Sequence, residues 1–278
     1  MSAVLKAENL NVTLINRKMS KKLVENVNFE IHPGECLGIL GESGSGKSMT
    51  VKAMLGLLDK NFQISGNAVF HGKNLLQVSK EELRRLRGNR ITMVLQNPMT
   101  CFDPLYRIGS QMAETFAAHT TWTTQEIHSQ CLEILEQMRI QNGEEVLEKY
   151  PHQLSGGMLQ RIMIGIAMAL QPELLIADEP TTAIDAITQY EILEEFVRIK
   201  KENHTAMLFI THDLGAISKV ADHILVMNSG RVVDSGSFEH ILTHANDSYT
   251  RMLVEKRSDV MHRYCQILHG KEKMECLN

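Results

Sequence analysis

Hydrophobic and polar residues are arranged in two different patterns along this chain. Val27, Phe29 and Ile31 alternate with polar neighbours, which is typical of a strand with one buried face. Residues 36–40, 174–177 and 207–210 are short continuous apolar runs, as expected of strands that are buried on both faces. Further strands are predicted at 67–70 and 91–95. Because helix-length segments separate the apolar runs, the pattern predicts an α/β fold with an edge sheet leading into a buried parallel sheet.

Helical patterns dominate the middle of the chain. Ser79 with Glu82, and Thr123 with Glu126, have the spacing of a capping box at the start of a helix. Apolar residues then recur at helical spacing on one face: Ile127, Cys131, Ile134, Leu135 and Met138. We interpret this stretch as part of a helical subdomain inserted at about residues 97–157. The core with its insertion is predicted to cover residues 1–242, and the weaker periodicity of 243–278 predicts a short C-terminal appendage.

The composition excludes some functions. Of the 278 residues, 43% are hydrophobic, which is enough for a buried core. A formal charge of −4 provides no basic field that would attract nucleic acid, so no nucleic-acid partner is predicted. The longest apolar run, 162–170, is about half of the roughly 20 residues that a membrane-spanning helix requires, so the chain is not expected to cross a bilayer itself. The five cysteines lack C-x-x-C spacing and are interpreted as reduced thiols.

Residues 41–48 have the pattern G-x-x-x-x-G-K-S directly after the apolar run 36–40. In such a loop the glycines let successive N–H groups point at one anion, and the N-terminus of the following helix adds positive potential. Lys47 is predicted to reach the outer phosphates of a nucleoside triphosphate, and Ser48 to bind Mg²⁺. The predicted phosphate-binding residues are Gly41, Glu42, Ser43, Gly44, Ser45, Gly46, Lys47, Ser48 and Met49.

Two carboxylates, Asp178 and Glu179, directly follow the apolar run 174–177. The carboxyl end of a parallel strand opens onto the ligand crevice of an α/β sheet. Asp178 is predicted to hold Mg²⁺, because a hard divalent cation prefers oxygen ligands. Glu179 is predicted to orient and deprotonate an attacking water. Solvated carboxylates at a strand end are the alternative, but the phosphate loop in the same chain favours the catalytic interpretation.

Residues 154–161, Leu-Ser-Gly-Gly-Met-Leu-Gln-Arg, precede a strongly apolar helix pattern, and here the chain resembles the ABC transporter ATPases, whose signature is L-S-G-G-x-x-Q-R. The resemblance implies a P-loop NTPase core of the RecA type, with an antiparallel β subdomain and an inserted helical subdomain. It also implies that Ser155, Gly156 and Gly157 of one subunit close over ATP bound to the phosphate loop of another. A helix N-terminus capped by Ser155 fits this role, because its N–H groups can meet a phosphate.

The resemblance implies further functional residues, which occur in the family's order. Gln96 would sense Mg²⁺ and the γ-phosphate, while its loop contacts a membrane permease. Asp185 would bridge the two subunits, and His212 would hydrogen-bond the γ-phosphate. The implied catalytic residues are Lys47, Gln96, Glu179 and His212, and the implied Mg²⁺ ligands are Ser48, Gln96 and Asp178.

One position departs from the family pattern. Relatives often place an aromatic residue on an early strand to stack on adenine, whereas this chain has Val12 and Leu14 in that region. Stacking contributes about 0.5–1.5 kcal/mol beyond the burial of surface area. We therefore expect weaker discrimination between ATP and GTP rather than loss of nucleotide binding.

Within the family, the chain is most similar to importers of peptides and nickel, through residues 96–100 and 155–158. Residues 157–164 and 176–182 resemble the D-type ATPases of nickel importers, and Leu159 stands where peptide relatives usually carry Arg or Lys. Peptide relatives also tend to have longer C-terminal extensions. The tail residues His262, Cys265, His269 and Cys276 match no established metal-ligand spacing, so a solvated tail is the favoured interpretation.

We therefore expect an ATPase subunit of an ABC importer that drives the uptake of nickel or a related transition-metal ion or complex, with dipeptide or oligopeptide import as the alternative. The expected cofactors are ATP and Mg²⁺. The expected partners are a second ABC ATPase subunit, either homologous or identical, two membrane permease subunits and an extracytoplasmic solute-binding protein. Such a subunit would lie peripherally on the cytoplasmic face of the cell membrane.

Two rival functions remain from other classes. A soluble ABC ATPase acting on ribosomes or DNA usually has two tandem cassettes or long heptad arms, and neither pattern occurs in this sequence. In a metabolic P-loop kinase, residues 154–161 would have no function, so the motif disfavours this class.

Overall fold

The computed structural model describes residues 2–16, 19–182 and 184–256 of the chain. Within these residues the strands are β1 (Leu5–Asn16), β2 (Met19–Ile31), β3 (Cys36–Leu40), β4 (Phe62–Phe70), β5 (Lys73–Asn74), β6 (Ile91–Val94), β7 (Leu174–Asp178), β8 (Ala206–Thr211), β9 (His223–Asn228) and β10 (Arg231–Gly236). The helices are α1 (Lys47–Met54), α2 (Lys80–Leu86), α3 (Ile108–His119), α4 (Thr124–Gln137), α5 (Gly143–Leu147), α6 (Gly156–Ala169), α7 (Ala186–Glu202), α8 (Leu214–Val220), α9 (Phe238–Thr243) and α10 (Ser248–Glu255). Two short 3₁₀ helices span Pro98–Thr100 and Pro151–Gln153.

The described residues form two sheets, which differ in strand direction. The larger sheet has the order β10-β9-β3-β8-β7-β6, in which only the β10 to β9 pair is antiparallel. The smaller sheet, β2-β1-β4-β5, is antiparallel throughout, and the half-buried strand predicted at 27–31 lies in β2. The predicted α/β fold, with a mostly parallel core sheet and an antiparallel β subdomain, is therefore confirmed.

The core strands are apolar throughout because both faces of the larger sheet are covered. On β7, Leu174 and Ile176 pack in the cluster that includes the antiparallel sheet and α1, whereas Leu175 and Ala177 pack in the cluster that includes helices α3, α4, α6 and α7. Successive side chains of a strand point to opposite faces, so a strand between two layers must be apolar at every position. This explains why the sequence shows short continuous runs here rather than alternation.

Helices α3 to α6 occupy the chain between β6 and β7, where the sequence predicts a helical insertion. The capping box of Thr123 and Glu126 is present at the start of α4. At Ser79 only half of the predicted box forms, because the Ser79 hydroxyl accepts from the Glu82 N–H without a reciprocal bond. Helix α6 begins at Gly156, well before the apolar run 162–170, because Ser155 caps it. The boundaries 97–157 stay a prediction.

The described part of the region 243–278 ends in α10. This helix buries Thr250 and Leu253, and Leu253 belongs to the same apolar cluster as Leu40 of β3 and Leu214 of α8. The division into residues 1–242 and an appendage stays a prediction. His262, Cys265, His269 and Cys276 lie outside the described residues.

None of the helices in the described residues combines the length and the apolar character that crossing a membrane requires.

The contact between α4 and α6 depends on a glycine, and this generates a first prediction. A Cβ added at Gly165 would lie 2.4 Å from Cγ2 of Ile134, a β-branched side chain that has little freedom to move. Overpacking costs about 1–3 kcal/mol, and an alanine recovers about 1 kcal/mol of helix propensity. Gly165→Ala is therefore expected to lower the free energy of unfolding by up to about 2 kcal/mol in urea titrations. Gly156→Ala is the control on the same helix, since its Cβ would meet nothing within 4 Å. Equal stabilities of the two variants would contradict the packing argument.

Candidate active site

The loop 41–48 connects the end of β3 to the start of α1, as the sequence predicts. Gly46 caps α1 with a φ of 105°, in the left-handed region that favours glycine. A Cβ at Gly41 would lie 2.4 Å from the carbonyl oxygen of Met227 on the neighbouring β9. Glycine is therefore required at both ends of the loop, where the backbone turns tightly against the sheet.

Lys47 lies inside this loop rather than on its surface. The residue is 4% exposed, and its Nζ donates to the carbonyl oxygens of Gly41 at 2.8 Å and Glu42 at 2.9 Å. The same ammonium lies 4.0 Å from Oε1 of Glu179. The loop backbone thus holds one positive charge beside the carboxyl end of β7.

Ser48 and Asp178 join the loop to β7. The Ser48 hydroxyl donates to Oδ1 of Asp178 at 2.8 Å. Burial raises the pKa of the Asp178 carboxyl, and the neighbouring Glu179 carboxylate acts in the same direction, while the bond from Ser48 opposes them. The site therefore contains a carboxylate whose charge is poorly solvated and would be stabilised by an added cation.

Glu179 is the centre of a hydrogen-bonded group. Its Oε2 accepts from Nε2 of Gln96 and from Oγ1 of Thr182, each at 3.3 Å, and lies 3.0 Å from Nδ1 of His212. Glu179 is 8% exposed and its φ is 49°, a left-handed conformation that is uncommon for a residue with a side chain. Its N–H donates to the carbonyl oxygen of Ile210 at 2.8 Å, which fixes this backbone against β8.

The predicted residues fall into two groups. Six of them lie together where the phosphate loop meets the carboxyl ends of β6, β7 and β8: Lys47, Ser48, Gln96, Asp178, Glu179 and His212. The hydrogen bonds of Ser155 and Asp185 run instead to their own helices: Ser155 accepts from the Met158 N–H at 3.2 Å and Asp185 from the Thr188 N–H at 3.0 Å. The Thr188 N–H lowers the pKa of Asp185. Both caps are exposed, so they are accessible to another molecule.

Gln160 is a residue whose contacts the sequence did not reveal. It lies in the segment 154–161 and is fully buried. Its Nε2 donates to the carbonyl oxygens of Pro180 at 2.8 Å and Leu95 at 3.4 Å. These are the residues directly after Glu179 and directly before Gln96. The sequence signal for such contacts was a glutamine among the apolar residues of α6, because a buried side-chain amide needs hydrogen-bond partners. The sequence pattern could not show which residues those partners are.

The two residues considered for contact with adenine differ in their exposure. Val12 is fully buried in the core cluster between the sheets, whereas Leu14 is half-buried. Of this pair, only Leu14 offers apolar surface near the end of β1.

Comparison with known proteins identifies the family. A family model described as ABC transporter matches residues 24–182. The metal-staphylopine import system ATP-binding protein of Staphylococcus aureus is 42% identical over 260 residues, which are 94% of this chain and 96% of that protein. The dipeptide transport ATP-binding protein of Lactococcus lactis is 40% identical over 92% of this chain and 74% of its own length.

Solved structures show the same fold. An ATP-binding cassette in a dimeric, post-hydrolysis state with ADP and Pi has a TM-score of 0.76 and 24% identity, covering 84% of this chain and 98% of that chain. The subunit cbiO1 from Clostridium perfringens, part of an ABC transporter complex, has a TM-score of 0.70 and 25% identity over 96% of this chain and 99% of its own. The fold and site define a nucleotide-binding cassette. The chain belongs to the ABC transporter family and is an ATPase subunit of an importer.

The environment of Asp178 generates a second prediction. Since its folded pKa is raised, ionisation of Asp178 opposes folding above the ordinary aspartate pKa, and this penalty grows with pH until the folded carboxyl is ionised as well. Asp178→Asn removes the charge and keeps an oxygen that can accept from Ser48. Without nucleotide or Mg²⁺, the variant is expected to be more stable than the parent at pH 7, with the difference vanishing below about pH 4 in urea titrations at several pH values. A variant that is less stable at neutral pH would contradict this interpretation.

Proposed function

We propose that this chain hydrolyses ATP at the site formed by the phosphate loop, Glu179 and His212. The observation that carries the proposal is the convergence on one carboxylate: Oε2 of Glu179 has Gln96, Thr182 and His212 within hydrogen-bonding distance, and Oε1 lies 4.0 Å from Lys47. Phosphoryl transfer depends mainly on positioning and charge neutralisation. A buried base beside a loop lysine supplies both requirements.

The residues present also fit Mg²⁺. The hydroxyl of Ser48, the carboxylate of Asp178 and the side-chain amide of Gln96 offer oxygen donors, which a hard divalent cation prefers. Burial raises the pKa of Asp178, so the ionised carboxylate is poorly solvated and would gain from a cation beside it. When bound with ATP, the cation would neutralise phosphate charge at this position.

Each remaining residue is assigned one task in the reaction. Backbone N–H groups of residues 43–49 bind the phosphates, and Lys47 neutralises the outer ones. Glu179 orients the attacking water and accepts its proton, which a carboxylate at hydrogen-bonding distance can do. His212 hydrogen-bonds the γ-phosphate while its Nδ1 faces the same glutamate at 3.0 Å. The contacts from Gln96 and Thr182 hold the carboxylate in position.

The exposed N-terminus of α6 is assigned to a partner. Ser155 caps this helix and is exposed, and Gly156 and Gly157 leave the first turn without bulky side chains. An N-terminus of this kind suits an anion. We infer that Ser155, Gly156 and Gly157 close over ATP held by a second ABC ATPase subunit, identical or homologous, and that Asp185 lies at the contact between the two.

The proposed role of Glu179 generates a third prediction. Glu179→Gln keeps the shape of the side chain and removes the base, so the rate of phosphate release is expected to fall by about 10²- to 10⁴-fold. ATP-dependent association of two subunits, measured by light scattering, is expected to persist. Thr182→Val is the matched control, because it removes only one donor to the same carboxylate, and it is expected to lose less than about tenfold. Near-normal hydrolysis by Glu179→Gln would reject this role.

A surface beside Gln96 is proposed to contact a membrane permease. Three large apolar side chains are exposed there: Met99 at 50%, Leu105 at 78% and Tyr106 at 60%. Of these, Tyr106 lines a groove of about 680 Å³ between the core sheet and the helical region. Because Gln96 contacts Glu179, binding at this surface would be sensed at the catalytic carboxylate. The subunit would accordingly lie on the cytoplasmic face of the membrane, with two permease subunits and an extracytoplasmic solute-binding protein.

The proposed cargo is a transition-metal ion, such as nickel, or a complex of such an ion. The relative from a metal-staphylopine import system supports this, because its 42% identity extends over nearly the full length of both chains. Peptide import is the second candidate, supported by peptide-transport relatives at 40–41% identity over 92% of this chain.

Uptake measurements test the cargo and constitute a fourth prediction. Deletion of the gene is expected to reduce accumulation of radioactive nickel, offered both as the ion and with a metal-binding small molecule. Sensitivity to toxic dipeptide and oligopeptide analogues should be unchanged. Restoring the parent gene should restore uptake, and restoring the Glu179→Gln variant should not. Normal nickel accumulation together with peptide resistance would instead establish the peptide importer.

A further inference from the structure

Helix α10 is held firmly against the part of the fold that carries the phosphate loop. Leu253 is buried in one cluster with Leu40, the residue that precedes the loop. The buried carboxylate of Asp234 accepts from the N–H groups of Asn246 at 2.8 Å and Asp247 at 3.3 Å, just before the helix begins. Asp247 in turn accepts from the Tyr249 N–H at 2.8 Å. The first turn of α10 therefore has a defined position.

Tyr249 uses this position to reach the phosphate loop. The N–H of Glu42 donates to the Tyr249 hydroxyl oxygen at 2.9 Å, across 207 residues of sequence. The carbonyl oxygen of the same Glu42 accepts from Nζ of Lys47 at 2.9 Å. Lys256 also lies 3.9 Å from Oε1 of Glu42, but both side chains are more than half exposed, so this pair contributes little. One residue of the loop thus lies between the C-terminal helix and the phosphate-binding lysine.

Backbone geometry makes these two contacts interdependent. The N–H and carbonyl groups of Glu42 belong to adjacent rigid peptide planes, so once the N–H is fixed only the φ and ψ angles of Glu42 separate it from the carbonyl that holds Lys47. Two carbonyl oxygens that accept from the same ammonium define where that ammonium lies. A loop that is already in place loses less conformational entropy when it closes around a ligand.

We propose that Tyr249 is a positioning residue for the phosphate loop. Through the N–H of Glu42, its hydroxyl orients the carbonyl that holds Lys47, and so raises the affinity of the loop for ATP. The inference rests on the proposed function in that ATP binds at residues 41–49. It assigns to the described part of the C-terminal region a direct contribution to nucleotide binding, beyond covering apolar surface.

Removal of the Tyr249 hydroxyl tests the proposal. Tyr249→Phe keeps the ring and removes the acceptor of the Glu42 N–H. We expect the KM for ATP, and the dissociation constant of ATP measured by calorimetry, to rise by about three- to tenfold, the effect of one hydrogen bond. The value of kcat at saturating ATP should change less than about twofold. Exchange of the Glu42 amide with deuterium in nucleotide-free protein should accelerate, because its acceptor is gone.

Thr250→Val is the matched control on the same helix. The Thr250 Oγ1 is buried and has no hydrogen-bond partner among the described residues, so valine changes the helix without touching the loop contact. This variant should retain the parent KM and the parent exchange rate at Glu42. If Tyr249 only anchors α10, Tyr249→Phe would lower the melting temperature while leaving the KM for ATP unchanged, and that result would overturn the proposal.

Failure of the proposed function gives a different result. If the parent protein itself binds no ATP at the loop, the assignment of the active site is wrong whatever Tyr249 does. If the parent binds ATP and Tyr249→Phe binds it equally well, only the positioning role is wrong.

Discussion

The parallel register of three neighbouring strands is the constraint on which this site depends. Leu40 of β3 pairs with Thr211 of β8, and Ile210 of β8 pairs with Asp178 of β7, so the three strands end at one edge of the sheet. The phosphate loop, Glu179 and His212 each follow one of these ends. Because both faces of the sheet are buried, a shift of one residue would place side chains in the wrong layer. Packing of the core therefore fixes the distances between the groups of the proposed active site.

Charge is arranged at this edge in a way that suits a polyanion with its cation. Lys47, Asp178 and Glu179 are all less than 10% exposed, and burial raises the pKa of Asp178. Glu179 also adopts a left-handed conformation, which costs on the order of 1–3 kcal/mol in a residue with a side chain. Without ligands, the site keeps poorly solvated charges in a strained backbone. A fold accepts such costs where the surrounding structure determines the position and the ligand compensates the charge.

Local patterns were sufficient to predict the α/β fold and the two segments that form the proposed ATP site. The loop 41–48 and the carboxylates after 174–177 each depend on contiguous residues, so one sequence reveals them. Contacts between distant segments could not be predicted: Gln160 to Pro180, and Tyr249 to Glu42, depend on how helices α6 and α10 pack. The positive φ of Glu179 was also hidden, because a glutamate carries no residue-type signal for this conformation; in the structure its N–H donates to Ile210 of the neighbouring strand.

The position of the γ-phosphate tests the central claim most directly. In a structure determined with Mg²⁺ and a non-hydrolysable ATP analogue, the account predicts that Nζ of Lys47 lies within hydrogen-bonding distance of the γ-phosphate. Glu179 and His212 should face that phosphate from the ends of β7 and β8. A triphosphate bound away from this edge of the sheet, with Glu179 remote from its terminal phosphorus, would contradict the account.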